Sequence, residues 1–302
     1  MRADGGSTRT RTELLGSNGV QGPRPRSRAM LTAIRLLNTL LPLAYAIAVA
    51  AYGVDFVRDD PVAGRAARRM LEAALILHVA LLGTLSIQLG HVPLASPAQM
   101  ASSVALSIAF VYLLIERRTR VPRTGVFILS LALCVQIGAS AFLEPTGTLP
   151  ELLRSPLFAV HTVSAVVGYA AFGVSASYGV LYLLLHRALK RARFGLVFER
   201  LPPLEVLVRM SAGAAKVGVA MLTLTIVCGS VQALAKVPGF VRDPKFLLTI
   251  VVWALYLGTL VLRRRLGWRD RRTVAVLLVA FALLLAAALT STLVVPSFHV
   301  FR

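Results

Sequence analysis

Histidines are the side chains of this chain best suited to metal chemistry, and two of the five are placed alike. His161 lies about one turn inside a long apolar segment, and His299 directly follows another such segment. Imidazole is a common axial ligand of haem iron, and ligands from facing helices are a standard way to hold that cofactor. We therefore expect His161 and His299 to form an axial pair, provided that both emerge on the same side of a membrane.

The elements that must position this pair are membrane spans. Hydrophobic residues make up 57% of the chain, and its mean hydropathy is +0.74. Apolar segments recur at the ~20 residues needed to cross a bilayer, where only helices satisfy the backbone of a single segment. The predicted fold is an all-α polytopic bundle of about eight transmembrane helices. The predicted spans are 33–56, 70–89, 98–115, 124–143, 156–185, 210–235, 246–262 and 273–295.

Arginine gives the orientation of these spans. Arginine and lysine are concentrated in the first, third, fifth and seventh connections, whereas the connections between them are nearly uncharged or mixed. Since positive residues favour the cytoplasmic side, both ends of the core are predicted to face outward, together with His161 and His299. The net charge of +20 then reflects topology beside anionic membrane lipid, and no nucleic-acid partner is expected.

Residues 1–29 are polar and contain no apolar core resembling a signal peptide. We interpret them as a disordered or mis-assigned tail before Met30, and residues 30–302 as a single transmembrane domain. Cys134 and Cys228 fall inside predicted spans and imply no disulfide framework. The chain has no C-x-x-C-H sequence, so any haem would be bound without a thioether bond.

His78 is predicted to lie within the second span, about eight residues or roughly 12 Å from its cytoplasmic end. A histidine buried in a span is costly and often functional, so packing residue and ligand both stay open. His91 and His186 are interpreted as interfacial side chains at helix ends. The face that follows His161 favours close packing of a neighbouring helix, with a flat ligand as the alternative. Its residues are Ser164, Ala165, Gly168, Phe172 and Ser175.

Four segments resemble those of a known family. They are SPLFAVHTVSAVVGYAAFGVSASYGVLYLL around His161, LPPLEVLVRMSAGAAKVGVAMLTLTIVCGSV after it, the closing SFHVF around His299, and GHVPLASPAQM, which follows the helix of His78. Over about residues 70–301 the chain resembles the cytochrome c assembly family of haem-handling membrane proteins, in its CcsA/HemX-like branch. The resemblance implies that His161 and His299 are external axial ligands of a non-covalent haem b. It also implies that His78 is a membrane histidine for haem entering from the cytoplasmic side.

The family signature, W-G-x-x-W-x-W-D-P-K-E-x-W, is only partly present. The corresponding stretch here is KVPGFVRDPKFLLTIVVW, which keeps Asp243, Pro244, Lys245 and Trp253 but lacks the earlier tryptophans and the glutamate. A further family histidine, expected near Gly258 or Thr259, is also absent. The resemblance therefore implies Asp243 and Trp253 as remaining cofactor-binding residues, in a haem platform with eroded aromatic walls.

Two classes of function follow from the resemblance. The first is a haem-binding component of cytochrome c biogenesis in a bacterial cytoplasmic membrane, which acts with a larger membrane partner and an apocytochrome c. A ligase activity would belong to that complex, and the chain on its own is not expected to be an enzyme. The second is a non-enzymatic membrane regulator of tetrapyrrole synthesis, whose arginine-rich loops contact a soluble haem-biosynthesis enzyme.

Overall fold

The computed structural model describes residues 28–145, 155–192, 195–234 and 240–293, and it confirms an all-helical membrane fold. Within these ranges, seven helices are long and apolar enough to cross a membrane, and the eighth predicted span coincides with the last helix. The helices are α1 (Arg28–Arg58), α2 (Pro61–Leu89), α3 (Pro97–Thr119), α4 (Gly125–Phe142), α5 (Pro156–Lys190), α6 (Leu196–Arg200), α7 (Leu204–Leu234), α8 (Pro244–Leu266) and α9 (Asp270–Leu293).

Several helices begin at the same two-residue signal, an Asp or Ser followed by Pro. The side chains of Asp60, Ser96 and Ser155 accept hydrogen bonds from backbone N–H groups of the first turns of α2, α3 and α5. Asp243 accepts one from the N–H of Phe246 at 3.3 Å at the start of α8. The cap satisfies a donor that the helix leaves open, and proline is preorganised for the first helical position.

One end of the bundle gathers the arginine-rich connections. Asp59, after α1, forms ion pairs with Arg123, between α3 and α4, and with Arg200 of α6. Arg263, near the end of α8, donates a hydrogen bond to the carbonyl of Val208 at the start of α7. The alternating connections predicted to share one side therefore do so. We call this end the arginine-rich face, and the opposite end, which the charge pattern predicts to face outward, the outer end.

The helices pack as two groups that share α5 and α7. The larger core joins α1 to α5 with α7, and the smaller one joins α5 and α7 to α8 and α9. In the smaller core, Phe172 of α5 stacks on Tyr256 of α8, with ring centroids 3.8 Å apart. A Cβ atom on Gly218 of α7 would lie 2.5 Å from the Phe172 ring, so glycine is required there for the stack to form.

Candidate functional site

His161 lies at the outer end of α5, about 8 Å along the helix from its first residue. Its side chain is half-buried, and its Nδ1 donates a hydrogen bond to the backbone carbonyl of Thr225 in α7 at 2.9 Å. A carbonyl oxygen only accepts, so this bond places a proton on Nδ1. In the neutral ring the lone pair is then on Nε2, the usual metal-binding arrangement of a histidine oriented by its second nitrogen.

Gly229 and Phe158 lie next to the His161 imidazole and limit its position. A Cβ atom on Gly229 of α7 would lie 2.8 Å from the imidazole Cε1, so any larger residue would displace the ring. The Phe158 ring lies one turn before it, with centroids 6.2 Å apart. Ser155, the N-cap of α5, also accepts a hydrogen bond from Gln232 of α7 at 3.1 Å. The outer ends of α5 and α7 are thus joined on both sides of His161.

The small-residue face that follows His161 is packed against α7. A Cβ atom on Gly168 would lie 3.4 Å from the backbone nitrogen of Leu222. Ser164 bonds the Thr225 hydroxyl at 2.9 Å, and deeper in the bundle Ser175 and Ser211 bond each other at 3.1 Å. Phe172, on the same face, stacks on Tyr256. Of the two interpretations of this face, close helix packing agrees with the structure, since α7 occupies the side where a flat ligand would lie.

His78 has a different environment from His161. Its side chain is fully buried, and both of its ring nitrogens are hydrogen-bonded: Nδ1 with the hydroxyl of Tyr45 in α1, and Nε2 with that of Ser102 in α3, each at 3.0 Å. Ser102 in turn donates to Gln136 of α4 at 3.1 Å, and Gln136 donates to Ser140. One polar network therefore connects α1, α2, α3 and α4 around His78, and a metal would have to displace one of these bonds.

The depth of His78 differs from the sequence-based expectation. Helix α2 begins at Pro61, well before the predicted start at residue 70, so His78 is about 25 Å from the arginine-rich end of its helix. Ser102 is about 8 Å from the outer start of α3, and Gln136 is about 9 Å from the outer end of α4. His78 thus belongs to the outer half of the bundle, whereas it was predicted in the cytoplasmic half, roughly 12 Å from the cytoplasmic end of its span.

Asp243 and Trp253 lie in separate surroundings. Asp243 is buried and caps α8 at the outer end. Trp253 is about 15 Å further along the same helix, inside the span, where its indole N–H donates to the Thr223 hydroxyl at 2.8 Å. Thr223 and Thr225 are two positions apart on α7 and project about 200° apart, so Trp253 and His161 contact different sides of that helix. Their cofactor-binding roles stay predictions.

His299 lies outside the described residues, as does the tail before residue 28. The pairing of His299 with His161 is therefore a prediction that rests on sequence position and on the resemblance.

A buried glutamate near the arginine-rich face, with its hydrogen-bond partners, was not predicted from the sequence. Glu116 of α3 is fully buried and accepts hydrogen bonds from the Tyr52 hydroxyl of α1 and from Arg68 Nε of α2, the latter at 2.7 Å. The available signal was a lone glutamate directly after the predicted third span. Its partners come from two other helices, so helix packing was needed to find them.

Comparison with known proteins places these features in a family. The family model described as cytochrome C assembly protein matches residues 71–299, which include His78, His161 and His299. The chain belongs to the cytochrome c assembly protein family. As a family member it is a multi-pass membrane protein of the haem and cytochrome biogenesis class.

Relatives extend the likeness beyond the family model. The chain is 28% identical to Protein HemX of Brevibacillus brevis over 258 residues, 84% of this chain and 94% of the relative. It is 25% identical to Protein HemX of Bacillus subtilis, over 74% of this chain and 83% of the relative. Inner membrane protein YpjD of Escherichia coli is 26% identical over 58% of this chain and 65% of its own length.

The described residues fit haem ligation at one position. The His161 imidazole is oriented by a backbone carbonyl and lies at the outer mouth of α5 and α7. The helix interface below it is filled by its own side chains. A macrocycle bound through His161 would therefore lie over the helix mouths, outside the packed seam. Both ring nitrogens of His78 are already hydrogen-bonded, to Tyr45 and to Ser102, so His78 fits a structural role better than a ligand role.

Proposed function

We propose that this protein binds one haem b non-covalently at the outer end of α5, with His161 and His299 as axial ligands. In this proposal it is a haem-holding component of cytochrome c biogenesis in a bacterial cytoplasmic membrane. The observation that carries the proposal is the hydrogen bond from His161 Nδ1 to the Thr225 carbonyl. A histidine that binds a metal almost always donates its other N–H to such an acceptor, which fixes the ring and raises its basicity.

Position supports the same role. The family match extends from residue 71 to residue 299 and so includes both histidines. The arginine-rich connections meet at the opposite end of the bundle, and positive residues favour the cytoplasmic side, so His161 would face outward. A haem at this mouth would be reachable by a separate outer protein. A second ligand from the segment after α9 would complete the axial pair.

In the proposed mechanism the chain orients and holds the cofactor. Bound haem would supply its iron and its vinyl groups to chemistry carried out with a larger membrane partner and an apocytochrome c. The Thr225 carbonyl orients the His161 ring so that Nε2 can bind the iron, and Gly229 leaves room for the ring in that position. The filled α5–α7 seam keeps the cofactor at the surface, where a partner has access to it.

The decisive experiment is haem titration of the purified full-length protein in detergent, followed by oxidised and reduced absorption spectra. The wild type should show a saturable low-spin spectrum with two histidine ligands. His161→Ala and His299→Ala should each lose that spectrum, with affinity reduced by about 100-fold or more, above the range for loss of a supporting residue. Added imidazole should restore a low-spin spectrum in either variant.

His91→Ala and His186→Ala are the matched controls, because each removes one imidazole near a helix end. His91 bonds a neighbouring carbonyl, and His186 stacks on Tyr182. Neither change should alter the titration. The proposal is overturned if wild-type protein takes up no haem, or if all four variants behave alike.

A second candidate function is the non-enzymatic regulator of tetrapyrrole synthesis. The observation in its favour is the coverage of the HemX relatives, 94% and 83% of their lengths, by a chain whose tryptophan-rich signature is incomplete. Gene deletion separates the two candidates. Loss of c-type cytochromes supports the assembly role, whereas a changed level of a haem-pathway enzyme with intact c-type cytochromes supports the regulator.

A further inference from the structure

A basic cleft lies in the turn between α8 and α9, on the arginine-rich face and far from His161. It is shallow and open, and it is lined by Arg269, Arg271, Arg272 and Ala275. The three arginine side chains are exposed. They come from one short stretch at the start of α9, so their charges converge on the same small volume.

The cleft has an uncompensated positive charge. Asp270 is the carboxylate nearest in sequence, and its Oδ1 is engaged by Arg263 at 3.2 Å. Within the described ranges, none of the three cleft arginines has a carboxylate within ion-pair distance. Elsewhere on the same face, Arg68, Arg117 and Arg123 each pair with an acidic side chain. An anion bound in the cleft would supply a counter-charge to these three arginines.

The position of the cleft selects the kind of anion. Immediately after Arg272, Thr273 and Val274 are fully buried and begin the apolar part of α9. Trp268, directly before Arg269, is half-buried, and tryptophan is enriched at the level of lipid headgroups. The arginines thus lie where a helix leaves the membrane. Basic pockets at this level on the cytoplasmic side are suited to anionic lipid headgroups.

We propose that the α8–α9 cleft binds the phosphate group of an anionic phospholipid headgroup. The guanidinium groups of Arg269, Arg271 and Arg272 provide several N–H donors to phosphate oxygens, and the lipid chains lie along the apolar surface of α9. This site is independent of the proposed haem site, because it lies at the opposite end of the bundle. It assigns a ligand to α9, the helix that directly precedes the segment of His299.

The test uses the tryptophan beside the cleft. The chain has two tryptophans, so a Trp253→Phe background leaves Trp268 as the sole indole. The full-length protein is reconstituted into vesicles of phosphatidylcholine with one-fifth phosphatidylglycerol, with bromine on the chains of one lipid at a time. We expect Trp268 quenching to give a relative association constant for phosphatidylglycerol of about ten over phosphatidylcholine, because each arginine near the surface adds to the attraction.

The triple variant Arg269→Gln, Arg271→Gln, Arg272→Gln should lower that constant to about one, the value for no headgroup preference. The matched control is Arg58→Gln, Arg65→Gln, Arg69→Gln, which removes the same charge from exposed arginines on the same face and should leave the preference intact. If the triple variant fails to assemble, each of the three single substitutions should reduce the preference in part.

Three results would overturn the proposal. Equal loss in both triple variants would mean that only the overall charge of the face matters. A wild-type constant near one would mean that the cleft has no headgroup preference. Complete loss of the preference on adding inorganic phosphate, at ionic strength matched with chloride, would identify the ligand as a soluble phosphate.

Discussion

Two groups of helices in this bundle use histidine in opposite ways. In the first four helices, His78 is fully buried and each ring nitrogen meets a side-chain hydroxyl from another helix. At the outer mouth of α5 and α7, His161 is half-buried and is oriented through Nδ1 by a backbone carbonyl. The His78 imidazole connects three helices through its two hydrogen bonds. The His161 imidazole lies at the outer ends of α5 and α7, where its Nδ1 hydrogen bond fixes the orientation of the ring.

The contacts between helices also differ between α1 to α4 and the pair α5 and α7. Helices α1 to α4 are joined by two buried polar networks, around His78 and around Glu116. Helices α5 and α7 are joined mainly by small residues, with Gly168 and Gly218 in close contact across the interface. Polar networks tolerate the loss of a partner poorly, whereas a glycine seam is sensitive to added volume. The two regions should therefore respond to different kinds of substitution.

The largest effect is expected at Glu116. Glu116→Ala removes the acceptor of Tyr52 and Arg68, and breaking a buried ion pair costs about 3–5 kcal/mol. We expect about 3 kcal/mol, because the Arg68 side chain is 35% exposed and can turn toward water. The measurement is the free energy of unfolding in mixed micelles. Glu72→Ala, which breaks the exposed pair with Arg117, should cost at most about 1 kcal/mol. Equal costs would contradict the importance of the buried glutamate.

His78→Ala is the next test, since it would leave the Tyr45 hydroxyl without its buried partner and Ser102 with only its bond to Gln136. We expect a loss of about 2–3 kcal/mol in unfolding free energy, from the stranded hydroxyl and the cavity. Haem affinity should be unchanged. A loss of the haem spectrum with normal stability would instead make His78 a ligand, and the contrast between the two histidines would fail.

Gly229→Ala tests whether haem binding depends on the position of the His161 ring. The added Cβ would lie 2.8 Å from the imidazole, so the ring must move while its chemistry stays the same. We expect haem affinity to fall about 10–100-fold, or about 1.4–2.7 kcal/mol, as for loss of a residue that supports a metal ligand. Gly138→Ala is the control, because a Cβ at that position has no neighbour within 4 Å. Unchanged affinity in Gly229→Ala would show that the observed ring position is not the one that binds haem.

The smallest effects compare two helix caps. Ser96→Ala and Ser155→Ala each remove an N-cap hydrogen bond, which is worth about 1 kcal/mol of unfolding free energy. Ser155 also holds Gln232 at the outer mouth, so only its substitution should weaken haem binding. Haem titration of the two variants, beside their unfolding curves, checks this. Weaker haem binding in both would indicate a general loss of stability as the cause.

Much of the fold was predictable from composition and arginine spacing, because both depend on physical constraints that act along the chain. Apolar length located the spans, and the sharing of one face by alternate connections is confirmed by the contacts of Asp59 with Arg123 and Arg200. Helix ends were less predictable. The first turns of α2 contain Arg65, Arg68 and Arg69 and extend beyond the apolar span, so hydropathy placed its start too late.

The candidate site was predictable in part. His161 was found from its position at the head of a span, but its bond to Thr225 depends on how α5 and α7 align. The polar network around His78 includes residues of three other helices, and the alignment of those helices cannot be read from one segment. Asp243 and Trp253 were predicted together because they are close in sequence. About 15 Å of α8 separates them, with Asp243 at the outer end of the helix and Trp253 within its span.

Helix α1 lies entirely before residue 71, where the family match begins, yet it supplies Tyr45 to His78 and Tyr52 to Glu116. The limit of the family-model match is therefore not the limit of the folding unit. A polypeptide restricted to residues 71–299 would insert its spans with two buried polar centres incomplete. During synthesis α1 enters the membrane before either centre has its remaining partners, so both can close only as the later helices arrive. The segment that the family model matches thus depends, for its buried polar contacts, on a helix that lies before that match.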